Sequence, residues 1–508
     1  MTRPDPLKPA TAGQKPNIIY LYPDEWRWDG IGALGLSPVK TPHLDQIAAH
    51  GVIYSNCYTC APLCMPARVS MMTGQRVHQH GQWNNLSTRP TNSPSHVRRI
   101  RDEAGYLTGV IGKTHLHVSP ARTAGKAALQ EWGFSYSDEI HGYAESVRDP
   151  TTSWTDWLGP EKVARYQQYI KDYDKKHLLS NPWDTQPLDA PPLNFTADDD
   201  IDIFIGNRAA TWIRDNQDSR PFYLQVNFSG PHYPMSAPSD VRAQFNLADM
   251  DLGIKVRPVE PIPPMVKWSG ASYCNVQAMT DDQMRQLRLI YYAQQLMIDT
   301  GIGKILQALA DRGLDDNTWI VMGSDHGELL GDHYLMYKQV FYESSVKIPL
   351  VIRPPSTLKT AGWQSAGLTD QLDVTTTILD IAGLTPMFAN QGHSLRQQVL
   401  AGPADANAQT GRAAVFTEVG SQIKPGEVLE RSPGREVVFQ QGDTQYRLAM
   451  IRTADYKLSA AYGTWEPVEL YHLKNDPQEL TNLVNHSEYA AVRKQLTQQM
   501  QTTFAALE

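Results

Sequence analysis

Cys64-Met65-Pro66-Ala67-Arg68-Val69-Ser70-Met71-Met72-Thr73-Gly74 brings a thiol, a backbone constraint and a permanent cation close together along the chain. Proline fixes its own φ and biases Met65 away from helix, so the sequence predicts Cys64 on the turn just before a helix that begins near Pro66. Such a helix start presents unpaired N–H groups and a partial positive charge, which favour an anion beside Cys64. Arg68 adds a planar set of donors suited to tetrahedral oxyanions. The local reading is an anion site with a nucleophile in it. Two other readings stay open here. Cys64 can be a buried thiol with Arg68 a surface cation, or Cys57, Cys60 and Cys64, spaced C-x2-C-x3-C, can bind metal. Zinc sites usually draw paired ligands from two separated knuckles, and Cys274 is the one thiol left to complete such a set.

Outward from this stretch, apolar runs repeatedly end in chemistry-bearing residues. Asn17–Tyr22 reads as a fully buried strand that ends at Asp24-Glu25. Adjacent carboxylates at the carboxyl end of a buried strand lie where open α/β sheets place their ligands; a solvated loop or a helix cap is the other reading. Leu107–Ile111 is a strand emptying into Lys113-Thr114-His115, and if that segment is extended the two side chains share a face. Phe222–Phe228 leads to His232, held between Pro231 and Pro234 as a proton donor must be. The long amphipathic pattern from Asp281 to Arg312 is a helix, and the strand Trp319–Gly323 after it runs into Asp325-His326. Further helices are expected near 42–49, 96–104, 160–178, 199–215 and 371–382, and a further strand at Val52–Tyr54. Residues 78–85 are expected to form a polar loop over the site.

A chain of 508 residues can bury a large core. Hydrophobic content of 41% and charged content of 20% are ordinary for an enzyme, and the net charge of −8 disfavours nucleic acid as a partner. Four cysteines do not make a disulfide framework, and neither the N-terminus nor any later stretch has an apolar run of signal or membrane-span length. These features point to a cytoplasmic protein without a membrane association, or to a periplasmic or secreted one if a leader has been removed. Residues 1–15 are polar, proline-bearing and expected to be disordered. The stretch from 120 to 198 is irregular and aromatic, with Trp154, Trp157 and Trp183, and carries no assignable chemistry. Around 402–413 the composition marks a linker, followed by short strands near 414–418, 446–452 and 456–460 and a helix from about 487.

C-x-P-x-R followed by T-G at Cys64 resembles the signature of type I sulfatases of the alkaline-phosphatase-like superfamily, and so do T-P-H-L-D at 41–45, G-K-x-H-L at 112–116, P-H-x-P at 231–234, S-D-H-G at 324–327 and Y-E-x-S near 342. The resemblance implies a large, mixed, mostly parallel sheet flanked by helices, over 16–402 with the 120–198 insertion, and a smaller C-terminal antiparallel subdomain over 413–508. It implies that Cys64 is oxidised to formylglycine by a maturation enzyme and that the hydrated aldehyde supplies the attacking oxygen. A divalent cation, Ca²⁺ with Mn²⁺ or Mg²⁺ as alternatives, would be held by Asp24, Glu25, residue 64, Asp325 and His326. Glu25 departs from the commoner Asp at its place, and His326 from the commoner Asn. Asp325 would be both ligand and the base nearest the nucleophile. Arg68 would help acidify the hydrate, Lys113 and Lys338 hold sulfate oxygens, His115 serve the hydroxyl on residue 64, and His232 assist the leaving alcohol. Asn85 would face the sulfate or the modified residue, with Asn84 its near-equal competitor. The implied reaction is hydrolysis of a sulfate monoester on a small molecule or saccharide, and an oligomer is allowed. Two alternatives remain: a phosphonate monoester or phosphodiester hydrolase of the same fold, in which Lys113 is often missing, and a non-catalytic binder of a sulfated ligand that keeps cysteine at 64.

Overall fold

A computed structural model of the chain describes residues 15–85, 93–117, 122–174, 195–258, 266, 276–388, 391–403, 411–420, 428–432, 435–438 and 447–507. Trp183, Cys274, residues 1–14 and most of the expected linker fall outside these. Lys15 is described, and its ammonium donates to the Ala104 carbonyl at 2.9 Å.

The first strand shows why the apolar runs of this chain become central strands. In β1 (Asn17–Leu21) the side chains alternate between two buried faces. Ile19 and Leu21 enter one core, with Ile205, Ile298, Ile302 and Ile305 from the helices Ile201–Asp215 and Asp281–Asp311. Ile18 and Tyr20 enter the opposite core, with Val69, Met71, Val374 and Ile378 from the helices Cys64–Thr73 and Gln371–Ile381. A strand covered on both sides has no polar face to alternate with, so it reads as a continuous hydrophobic run.

β2 is Val52–Tyr58, β3 Leu107–Gly112, β4 Tyr136–Glu139, β5 Phe222–Asn227, β6 Thr318–Gly323, β7 Lys347–Ile348, β8 Leu350–Arg353 and β9 Trp363–Asp370. They form one nine-stranded sheet in the order β4-β3-β5-β1-β6-β8-β2-β7, with β9 paired to β2. Pairing is parallel from β4 across to β6, then antiparallel at β6–β8, β8–β2 and β2–β7. Two reversals restore direction, so β2 runs the same way as the parallel block. The carboxyl ends of β3, β5, β1, β6 and β2 therefore open on one edge of the sheet.

β10 (Ala414–Gly420), β13 (Arg447–Thr453), β14 (Tyr456–Ala461) and β15 (Pro467–His472) form a smaller antiparallel sheet, with β11 (Val428–Ser432) and β12 (Arg435–Val438) as a separate hairpin. One face packs Phe416, Ile451 and Leu458 on Leu496, Met500 and Phe504 of the terminal helix Ala490–Ala505. The other packs Val415, Val419 and Met450 against Phe341, Val346 and Leu368 of the main sheet's side. The fold class is thus a mixed, mostly parallel sheet between helices with a smaller α+β unit.

Several expectations need correction. The cysteine helix starts at Cys64 rather than near Pro66. Proline tolerates the first helical turn because its missing N–H has no intrahelical partner there in any case. Residues 77–80 are helical, not loop, because Ser70 Oγ holds His80 Nε2 at 2.8 Å and Glu418 holds His78 Nδ1 at 3.0 Å. The 120–198 stretch yields one anticipated helix, Pro160–Asp174, and several unanticipated elements. Among these are Arg122–Trp132, Tyr143–Arg148 and Ser153–Leu158, with β4, which extends the main sheet.

Candidate active site

The turn that delivers Cys64 is fixed before the helix begins. Leaving β2, Thr59 donates through Oγ1 to the Asp325 carbonyl, and the Cys60 carbonyl accepts from the Glu418 N–H at 2.8 Å. The C-terminal sheet thus buttresses the turn. Asn85 Oδ1 accepts from the Met65 N–H at 3.0 Å, satisfying one of the open amides of the first helical turn. Asn85 thus reaches the cysteine turn by its side chain.

Cys64 Sγ lies 3.2 Å from His326 Nε2 and 3.9 Å from Asp24 Oδ1, all fully buried. Arg68, one helical turn on, donates from Nε to Asp325 Oδ2 at 2.8 Å and from Nη1 to the Lys113 carbonyl at 2.7 Å, and its Nη2 is 3.2 Å from Asp24 Oδ2. Its guanidinium stacks over Tyr22 with 5.0 Å to the ring centroid. Lys113 Nζ is 2.7 Å from Asp24 Oδ2. Lys338 Nζ donates to Glu25 Oε2 at 2.7 Å, and His232 Nε2 is 3.5 Å from the same oxygen. Residues from β1, β3, β5, β6 and the turn after β2 thereby meet in one place.

Could these residues hold a cation? One donor atom each from Asp24, Cys64, Asp325 and His326 lies within 4.8 Å of the others, and Asp24, Glu25 and His232 form a second such group. Glu25 Oε1 is buried without a hydrogen-bond partner, while Asp24 Oδ2 is faced by the Lys113 and Arg68 cations. Two carboxylates, an imidazole and the side chain at 64 are a fitting donor set for a hard or borderline divalent ion. Glu25 sits apart from the first group, turned to Lys338 and His232. Among the described residues, neither Cys57 nor Cys60 joins any such group, so the three-cysteine metal reading finds no support: Cys57 packs in the core, and Cys60 Sγ faces Asp370 at 3.6 Å.

The electrostatics favour an anion at residue 64. Burial opposes ionisation of the Cys64 thiol, but Lys338, His326 and hydrogen bonds from His115 and His232 hold it well below the ordinary thiol value. Burial likewise opposes the charge on Lys113 and Lys338; Asp24 and Cys64 keep Lys113 protonated, Cys64 and Glu25 keep Lys338 so. Burial, then Lys113 and Lys338, push His232 below its usual value. Burial pushes the Glu25 carboxyl up, Lys338 pulls against it, and Glu328 adds to the rise.

The backbone here is strained. Glu25 (φ 67°), His115 (φ 50°), Tyr337 (φ 66°) and Gln339 (φ 77°) are left-handed non-glycine residues, each costing of order 1–3 kcal/mol. His115 was expected in an extended segment beside Lys113; the left-handed turn corrects that geometry, although His115 still reaches Cys64. Two supporting residues gave no sequence signal: Tyr22, under Arg68, and Gln371, which bridges Tyr22 Oη at 2.9 Å and the Cys60 N–H at 3.1 Å.

Comparison with known proteins agrees with this geometry. The family model for sulfatases matches residues 16–384, and a model for the C-terminal region of N-sulphoglucosamine sulphohydrolase matches 439–506. An arylsulfatase of Clostridium perfringens is 25% identical, covering 94% of this chain and 91% of its own. An N-acetylglucosamine-6-O-sulfatase of Bacteroides thetaiotaomicron is 25% identical over 98% of this chain and 88% of its own. Among solved structures, the phosphonate monoester hydrolase of Agrobacterium radiobacter superposes with a TM-score of 0.75 at 25% identity, covering 97% of this chain and 96% of that one. With the family model spanning most of the chain and the cysteine signature set among its ligand-bearing strand ends, this protein belongs to the sulfatase family and is a sulfatase of the alkaline-phosphatase-like superfamily.

Proposed function

We propose that the chain hydrolyses sulfate monoesters of a small organic molecule or saccharide, with residue 64 as the formylglycine made from Cys64 by a maturation enzyme. The observation that carries this reading is the convergence of Arg68, Lys113, Lys338, His115 and His232 on Cys64, beside a cation-competent group of two carboxylates and His326. Asp24, Asp325, His326 and residue 64, with Glu25 beside them, would hold a divalent ion, Ca²⁺ first and Mn²⁺ or Mg²⁺ next. When bound, that ion supplies Lewis acidity toward sulfate oxygen and toward the hydroxyl on residue 64.

The chain's own groups then divide the work. Arg68 is immobilised by Asp24, Asp325 and the Lys113 carbonyl, so its charge is fixed before substrate arrives. Lys113 and Lys338 hold the sulfate oxygens while one hydroxyl of residue 64 displaces the alcohol at sulfur, and His115 takes the proton from the other hydroxyl, which then expels sulfate and restores the aldehyde. His232, in its doubly protonated form, gives a proton to the departing alcohol through Nε2, because its Nδ1–H is held by the Tyr233 carbonyl at 2.9 Å. Asn85 keeps the turn carrying residue 64 in register. The three described cysteines are buried and free, which suits a reducing compartment, and we assign the protein to the cytoplasm. Residues 16–402 form the catalytic domain and 413–508 a subdomain that braces it.

The likeness to a phosphonate monoester hydrolase makes that ester class the second reading. Turnover of an aryl sulfate and of the matching aryl phosphonate monoester separates them: preference for the sulfate, lost in His232→Ala, supports the proposal. Preference for the phosphonate, or near-full sulfate turnover in His232→Ala, refutes it.

A further inference from the structure

The helix Tyr143–Arg148 follows β4 directly, and β4 pairs with β3, whose end carries Lys113. Its N-cap is Gly142, and a Cβ placed there would lie 2.3 Å from Glu145 Oε2 and 3.4 Å from Lys113 Nζ. The Glu145 carboxylate and the Lys113 ammonium thus reach over the same bare backbone carbon, which leaves room for both. Glu145 as a residue is exposed, and His115 and His232 are only part-buried, whereas Asp24, Asp325 and His326 are fully buried. Glu145 therefore stands on the solvent side of the cluster. Burial of its carboxylate opposes ionisation, but Lys113, then His232 and His115, hold it below the usual range. Tyr233, next to the proton donor, feels the same carboxylate.

We propose that Glu145 selects the alcohol portion of the substrate, accepting hydrogen bonds from hydroxyl or ammonium groups on it and repelling a second anionic group. This rests on the sulfate-ester reading above only for where the alcohol lies, since an alcohol leaving toward His232 comes to rest against Glu145. Removing it withdraws a negative charge from beside the alcohol while leaving the groups that hold sulfate in place.

The test uses a matched series of 4-methylphenyl, 4-(aminomethyl)phenyl and 4-carboxyphenyl sulfate, with calorimetric binding to the uncleaving Cys64→Ala protein, with and without Glu145→Gln. Binding of the aminomethyl ester should weaken about tenfold and that of the carboxy ester tighten about tenfold, with the methyl ester within about threefold. Glu145→Lys should widen both shifts in the same directions. A uniform shift across the three esters, or unchanged binding of the two charged esters on replacing Glu145, overturns the proposal. Turnover of the methyl ester by the Cys64-bearing protein reports separately on hydrolysis: an inactive protein that keeps the binding order counts against the sulfate-ester reading and not against Glu145.

Discussion

Two buried clusters of charge serve this molecule in opposite ways. At Cys64, cations and carboxylates are crowded at strand ends on left-handed backbone, with Glu25 Oε1 and His115 Nδ1 left without hydrogen-bond partners. Where the two sheets meet, Lys457 donates to the Phe341 carbonyl at 2.5 Å, lies 3.2 Å from Glu343 Oε1 and pairs with Glu479. The Glu343 N–H donates to Glu479 Oε2 at 2.7 Å, and Tyr58 Oη to Glu343 Oε2 at 2.6 Å. Of these residues only Glu479 is left-handed. The second cluster closes on itself and joins the sheets; the first keeps unspent donors and acceptors for something that is to be bound. Incomplete pairing under strain marks a site, and complete pairing marks a joint.

The comparison breaks most visibly at Lys457. Lys457→Met leaves Glu479 buried without its cation and Glu343 with the more distant Arg452, at 3.9 Å, and should destabilise the fold by about 3 kcal/mol in urea titration while turnover per folded molecule stays unchanged. A matching loss of turnover would mean that the joint is part of the site. Lys113→Ala should behave in the reverse manner, with turnover of an aryl sulfate down by about 10²–10³ and stability little altered, because Asp24 keeps Arg68.

How much of this the sequence discloses follows from what each residue depends on. Asp24, Lys113, His232 and Asp325 are legible because each ends an apolar run, and a strand covered on both faces can only offer polar groups at its end. The joint is invisible in the chain: Lys457 and Glu343 are separated by 114 positions, and their pairing exists only after both sheets have formed. Pro66 misleads by two residues, since its bias against helix at Met65 yields to a first turn anchored by Asn85. The left-handed turn at His115 has no local cause and is imposed by its surroundings. Glu145 lies in a stretch without periodicity, where only the pairing of β4 with β3 brings it to the site.

A milder probe of the scaffold is His96, whose fully buried ring faces the Met72 carbonyl at 3.2 Å and Tyr223 Oη at 3.3 Å. Burial pushes its pKa down to about 4. The folded value lies below the unfolded one, so the unfolded chain binds the proton first and stability falls as pH drops from about 6.5 to about 4, by up to about 3 kcal/mol. His96→Gln should flatten that part of the urea-midpoint curve; an unchanged slope would place the acid sensitivity elsewhere. The smallest effect is expected at Asn85, where Asn85→Ala leaves the Met65 N–H without its acceptor and should cost about 1 kcal/mol in thermal unfolding.

The central claim is that residue 64, set among these strand ends, is where the sulfate ester is cleaved. Its most direct test is kcat/KM for 4-nitrophenyl sulfate, measured on protein produced together with a formylglycine-generating enzyme and on Cys64→Ala protein made alongside. The account predicts sulfate release by the first and only background hydrolysis by the second; equal turnover by the two would contradict it.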